Sequence, residues 1–242
     1  MKVLSIGNSF SDDAQTYLHR IAAADGYDMY TVNLNIGGCS LQTHYNNMIS
    51  NEKKYMFQEN GIITERFVSF EEGLLLEDWD VVTLQQVSRQ SVIEDSFYPY
   101  IHEIASAVRH LAPNAKLLIH QTWAYEAGAP AIMEICGDPT PEYMHAVSKK
   151  AYMRAKNEIN ADAIIPSGDL FIEYHKQGIA NIHRDRHHAS FGFGRYALAL
   201  LCYRSLTGRS VLDISFSDFD EPVSPEEIRL AKESVEAYGK II

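Results

Sequence analysis

The 242-residue sequence predicts an α/β protein with a central parallel sheet of five strands and helices on both faces. Two observations carry that prediction. Short apolar or β-branched runs at residues 3–6, 29–36, 80–84, 116–119 and 163–165 alternate with stretches of helical periodicity, and most connections between them are short. Polar or glycine residues close the first four runs: Gly7-Asn8-Ser9, Gly37-Gly38, Gln85-Gln86 and His120 to Trp123. In such sheets ligands bind outside the carboxyl ends of the strands.

Taken in order, the first strand and its tight turn precede a helix in which Ala14, Tyr17, Leu18, Ile21 and Ala22 recur at helical spacing, with Ser11 or Asp12 as its N-cap and Gly26 after its end. Residues 29–36 alternate as a second strand. Between about 43 and 78 the pattern changes to two short antiparallel strands around Asn60-Gly61, an insertion expected to cover one end of the sheet. The third strand ends in Gln85-Gln86. A helix marked by Ile101, Ile104, Ala105, Val108 and Leu111 stops at Pro113, and the fourth strand ends at His120. Thr140-Pro141 opens a helix running to about residue 160. A fifth strand, a helix over about 170–176, a histidine-rich loop over 178–190 and an apolar helix over 191–206 follow. Ser224-Pro225-Glu226-Glu227 is a capping box that starts the last helix. The whole chain, 1–242, reads as one domain without repeats or linkers.

Composition narrows the function. A formal net charge of -11 with no window rich in Lys and Arg gives no footprint for a phosphate backbone, so nucleic acid is not an expected partner. Cys39, Cys136 and Cys202 lie far apart and form no CxxC pair, which points to free thiols rather than disulfides or a zinc knuckle. No run of about 18 apolar residues spans a membrane, and the opening apolar run is too short for a signal-peptide core, so the expectation is a cytoplasmic protein with no membrane partner.

A serine at a strand-to-helix turn has backbone N–H groups beside it, which makes Ser9 a candidate nucleophile. It needs a base, oriented in turn by a carboxylate. Asp185 and His188, in D-x-x-H spacing, can face the same way on a turn, with His187 pointing elsewhere. The competing readings are a solvated polar loop and a metal site from His183, Asp185 and His187, which alternate at strand spacing. No HExxH and no carboxylate cluster accompanies those residues, so no metal is expected. For an oxyanion, the Ser9 N–H, a glycine N–H at Gly38 or Gly37, and a side-chain amide at Gln85 are the donors by position.

Gly7-Asn8-Ser9, Asn35-x-Gly37-Gly38, a polar amide after the third strand, and Asp185-x-x-His188 occur in the order that resembles the GDSL or SGNH hydrolase superfamily. More narrowly, GNSFS, IGGCSLQTH, WDVVTLQQVS, HQTWAY and DRHHAS are similar to a bacterial branch of unknown function, over about residues 2–208. The resemblance implies a flavodoxin-like three-layer α/β/α sandwich and a cofactor-free serine esterase, lipase or acetylhydrolase acting on small acyl esters, often of carbohydrates. Carried over by position, Ser9 is the nucleophile, His188 the base and Asp185 its partner, with Gly38 and Gln85 holding the oxyanion. Asn8 stands where many relatives have Asp. The usual Gly-x-Asn-Asp is missing from the third block, so Gln86 or Ser88 are alternatives to Gln85. Trp123 offers an aromatic face to a sugar ring or acyl chain. That missing block also motivates a different class of function, a carbohydrate-binding protein that keeps the fold without the chemistry.

Overall fold

The computed structural model describes residues 1–242. Seven strands, β1 (Lys2–Gly7), β2 (Tyr30–Asn35), β3 (Tyr55–Glu59), β4 (Ile62–Val68), β5 (Val81–Leu84), β6 (Lys116–His120) and β7 (Ala163–Ile165), form one sheet in the order β4-β3-β2-β1-β5-β6-β7. The five strands expected from sequence are the parallel part, β2-β1-β5-β6-β7. The correction concerns the insertion. β3 and β4 do not cover an end of the sheet; they extend its β2 edge in antiparallel pairing, so the sheet has seven strands instead of five. The reason is backbone satisfaction: β2 is buried along most of its length and its outer N–H and C=O groups need a ladder partner.

Ten helices flank the sheet. They are α1 (Ser9–Gln15), α2 (Leu18–Ala24), α3 (Leu41–Ser50), α4 (Phe70–Leu74), α5 (Tyr100–Leu111), α6 (Pro130–Cys136), α7 (Pro141–Glu158), α8 (Ser167–Lys176), α9 (Phe193–Thr207) and α10 (Pro225–Glu236). Alternation along β1 divides the core in two: Val3 packs with α1, α2, α8 and α9 on one face, whereas Leu4 and Ile6 pack with α3, α4 and α5 on the other. The result is the three-layer sandwich. α9 is buried nearly all round because α10 packs on it from outside. No helix is long and apolar enough to cross a membrane.

The first turn differs from its sequence reading. The N-cap of α1 is Asn8, whose Oδ1 accepts from Phe10 N–H at 3.0 Å, and the helix breaks after Gln15 before restarting at Leu18. Ser11, one of the expected caps, is a buried strut: its hydroxyl bonds Asn8 O at 2.7 Å and Asn33 Oδ1 at 2.9 Å. A Cβ at Gly7 would lie 2.8 Å from Ser11 Cβ, so only glycine lets strand pass to helix this abruptly.

Two buried histidines give the fold a pH dependence. His44 stacks on Tyr55 and bonds its hydroxyl at 3.0 Å; His120 bridges the ends of β6 and α8 through Ser167 Oγ at 2.9 Å. Burial pushes His44 down to about 3 and His120 down to about 4. Both stay neutral in the folded chain while the unfolded chain takes up protons below about pH 6.5, so their contribution is complete above that pH and is lost as pH falls. The two together are expected to remove about 3 kcal/mol of stability between about pH 6.5 and about pH 5, read as a fall in the urea midpoint at constant slope.

Candidate active site

Asn8 fixes the turn that carries Ser9, the candidate nucleophile. With its Oδ1 capping α1 and its Nδ2 donating to Cys39 O at 3.1 Å, it ties the β1 turn to the β2 turn and places Ser9 at the first helical position. There the Ser9 N–H has no intrahelical acceptor. The Gly37 and Gly38 N–H groups make no backbone hydrogen bond. Gly38 has φ +64 and lines the same cleft as Ser9.

The other half comes from the loop between α8 and α9. His183 and Ala189 form an antiparallel bridge, and Arg184 N–H donates to His188 O at 3.1 Å. Between them Arg186 sits in the left-handed region, φ 71, with its carbonyl held by Glu126 N–H at 2.8 Å. This conformation is unusual for arginine and folds the segment so that Asp185 Oδ1 accepts from His188 N–H at 2.8 Å and from His187 N–H at 3.3 Å. Asp185 Oδ2 then meets His188 Nδ1 at 2.7 Å, and His188 Nε2 lies 2.8 Å from Ser9 Oγ. With Nδ1–H donating to the carboxylate, Nε2 carries the lone pair that accepts from Ser9. Burial pushes the Asp185 carboxyl up, but the bonds from the His188 ring and N–H outweigh it and hold the group well below the usual carboxylate range.

Ser9 and His188 line a cleft of about 340 Å³ with Gly37, Gly38, Ser88 and Tyr125. It shares Gly38, Val87 and Arg89 with a larger trough of about 580 Å³, across which Arg89 pairs with Glu134 at 2.9 Å.

Of the residues expected from sequence, Ser9, His188, Asp185, Gly37 and Gly38 come together here. Gln85 and Trp123 do not. The Gln85 amide turns inward, its Nε2 donating to His120 Nδ1 at 3.0 Å, because polar groups that close neighbouring buried strands must find partners there. Gln86 is likewise occupied, bonding Leu41 N–H and Ser96. Ser88, the remaining alternative, does line the cleft, with its hydroxyl 2.8 Å from the Tyr125 hydroxyl. Trp123 is 1% exposed, stacks on Phe10 at 4.2 Å and donates its indole N–H to His187 O at 2.9 Å; it supports the Asp185–His188 loop and offers no face to the cleft.

His187 does not point away. Its ring lies 4.0 Å from that of His188 and 5.3 Å from Tyr125, on the cleft wall. Burial and the neighbouring His188 push it down. Nor do His183, Asp185 and His187 form a metal-ligand set: His183 turns to His175, with the two Nε2 atoms 3.2 Å apart. The donor atoms that do converge, within 4.8 Å, are those of Asp185, His187 and His188, where Asp185 Oδ2 and His188 Nδ1 already share a hydrogen bond. Tyr125 and Arg89 were missed by sequence reasoning. Tyr125 had a signal, since it stands two residues beyond Trp123 in the same strand-end segment; Arg89 had none.

A parallel β2-β1-β5-β6-β7 sheet carrying a serine after its first strand and a D-x-x-H loop near its end defines an SGNH/GDSL hydrolase fold. Within that class the chain belongs to the family described as a domain of unknown function, DUF4886, whose model matches residues 2–238. A DUF4886 family protein from Bacteroides uniformis is 32% identical, with a TM-score of 0.90 over 98% of this chain and 93% of that one. An SGNH hydrolase assignment from Slackia heliotrinireducens, 20% identical, gives a TM-score of 0.61 over 84% of this chain and 97% of its own. An acetylxylan esterase from Geobacillus stearothermophilus, 16% identical, gives 0.51 over 84% and 90%. These last two are likenesses of fold. A search of curated proteins found no match.

Proposed function

We propose that the protein is a serine esterase that hydrolyses small acyl esters, acetyl esters foremost. The observation that carries this reading is the continuous relay Ser9 Oγ, His188, Asp185 with bonds of 2.8 and 2.7 Å at a cleft of about 340 Å³. A binding module has no need of a hydroxyl aligned on an imidazole that is itself aligned on a carboxylate.

Ser9 Oγ attacks the ester carbonyl as its proton passes to His188 Nε2, and Asp185 holds the ring and stabilises the imidazolium. The oxyanion lies on the Ser9 and Gly38 N–H groups, with the Ser88 hydroxyl as third donor in place of Gln85. The C–O bond to the alcohol breaks, the alcohol leaves with the proton from His188, and the acyl group remains on Ser9. Water then attacks that carbonyl and gives a proton to His188; the bond from the acyl carbon to Ser9 Oγ breaks, His188 returns the proton to Ser9 Oγ, and the carboxylic acid is released. The cleft takes the acyl group and the adjoining trough the alcohol. Its Ser40, Thr43, Gln90 and paired Arg89 and Glu134 suit a neutral, hydroxyl-rich alcohol such as a sugar.

Hydrolysis of p-nitrophenyl acetate, with release of acetate from acetylated sugars as the second assay, tests the reading. Activity falling steeply with acyl length is expected, and inertness toward all acyl esters contradicts it. Ser88→Ala is expected to lower kcat by about 10²-fold, the effect of removing one oxyanion donor. Gln85→Ala should instead keep kcat within about twofold while costing about 1–3 kcal/mol in a urea titration, because it strands His120.

A further inference from the structure

Asp13 is fully buried, an unusual place for a carboxylate, on the same helix as Ser9 and one turn further along. Its oxygens receive Arg184 Nη1 at 2.9 and 3.0 Å, Ala189 N–H at 3.1 Å and Arg195 Nε at 2.9 Å. Arg184 immediately precedes Asp185, and Ala189 immediately follows His188. One carboxylate on the nucleophile's helix therefore grips both ends of the Asp185-x-x-His188 segment. Arg195, from the first turn of α9, is steadied in turn by Asp220 at 3.1 Å. The Arg184 and Arg195 guanidinium groups lie 4.5 and 4.6 Å from the centre of the Phe191 ring.

Buried ion pairs are weak net stabilisers, since the desolvation of each charge offsets much of their attraction. What such a cluster does well is fix geometry. We infer that Asp13 is a positioning residue, whose carboxylate holds the Asp185–His188 segment at hydrogen-bonding distance from Ser9. The inference rests on the esterase reading for its catalytic consequence, and on the contacts alone for its structural one. Displacing the base by about 1 Å is enough to cost about 10²-fold in rate.

Asp13→Asn keeps the shape and removes the charge. In the folded variant kcat toward p-nitrophenyl acetate is expected to fall about 10²-fold with KM within about twofold. The low-field proton resonance of the Asp185–His188 hydrogen bond should be lost or displaced. A role in stability alone would lower the melting temperature and leave kcat and that resonance unchanged, which would overturn the inference. If Asp13→Asn does not fold, Arg184→Gln cuts one grip and leaves Asp13 paired with Arg195 and Ala189; a kcat loss of about tenfold at constant KM is expected, and an unchanged kcat overturns the clamp. If the wild-type protein hydrolyses no ester, the esterase reading fails by itself. The resonance still reads the clamp, and its persistence unchanged in the folded variant overturns it.

Discussion

Ser9→Ala is expected to fold normally and to lose kcat toward p-nitrophenyl acetate by roughly 10⁴-fold or more, leaving only what the oxyanion donors and substrate positioning supply. The fold should be indifferent because the hydroxyl's one protein partner is His188 Nε2, in a partly buried position at the cleft. Ser11→Ala is the contrasting variant. Its hydroxyl is spent on Asn8 O and Asn33 Oδ1, so its removal is expected to cost about 1–2 kcal/mol of stability with the Ser9 hydroxyl still present. Steady-state kinetics and urea titrations on the two variants separate chemistry at the turn from support of the turn.

Asp185→Asn carries the second large effect, about 10⁴-fold in kcat with little change in KM. An asparagine here has one oxygen where the carboxylate has two. It can accept from the His188 and His187 N–H groups or from the ring, and the amide facing His188 Nδ1 would be a donor. The imidazole is then driven to the tautomer with its proton on Nε2, where it cannot accept from Ser9. Because the His188 bonds hold the Asp185 carboxyl well below the usual carboxylate range against the push of burial, the wild-type protein keeps this carboxylate charged through mildly acidic pH. Activity lost on mild acidification therefore does not come from Asp185. Comparing the pH profiles of kcat for wild type and variant checks this.

What was legible in the sequence follows from how local each signal is. The parallel strands, the Thr140 cap of α7 and the Ser224–Glu227 capping box of α10 are written in adjacent residues and are present as expected. The D-x-x-H spacing is local too, and Asp185 and His188 do face each other. α3 also had a local sign: Ser40, whose hydroxyl accepts from Thr43 N–H, is a recognisable N-cap, but the residues the helix buries are Leu41, His44 and Asn47, two of them polar, so no apolar stripe marks it. Gln85, Trp123 and the placement of β3 and β4 were beyond such reasoning. Whether a strand-end side chain enters the cleft or turns inward depends on partners far away in sequence, His120 for Gln85 and the His187 carbonyl for Trp123. Asp13 belongs with them, since nothing in the adjacent pair Asp12-Asp13 at a polar helix start marks one carboxylate for burial until Arg184 and Arg195 are seen around it. His187 turned toward the cleft because the left-handed backbone at Arg186 reorients the residues after it, which residue spacing does not encode.

The central claim is that Ser9 is a nucleophile activated by His188, and covalent labelling with a fluorophosphonate tests it most directly, because it needs no knowledge of the natural ester. Mass spectrometry of the intact protein and its peptides should find a single adduct, on the peptide containing Ser9, formed at a rate that collapses in His188→Ala. An unlabelled wild-type protein, or an adduct on any other residue with Ser9 untouched, would contradict the account.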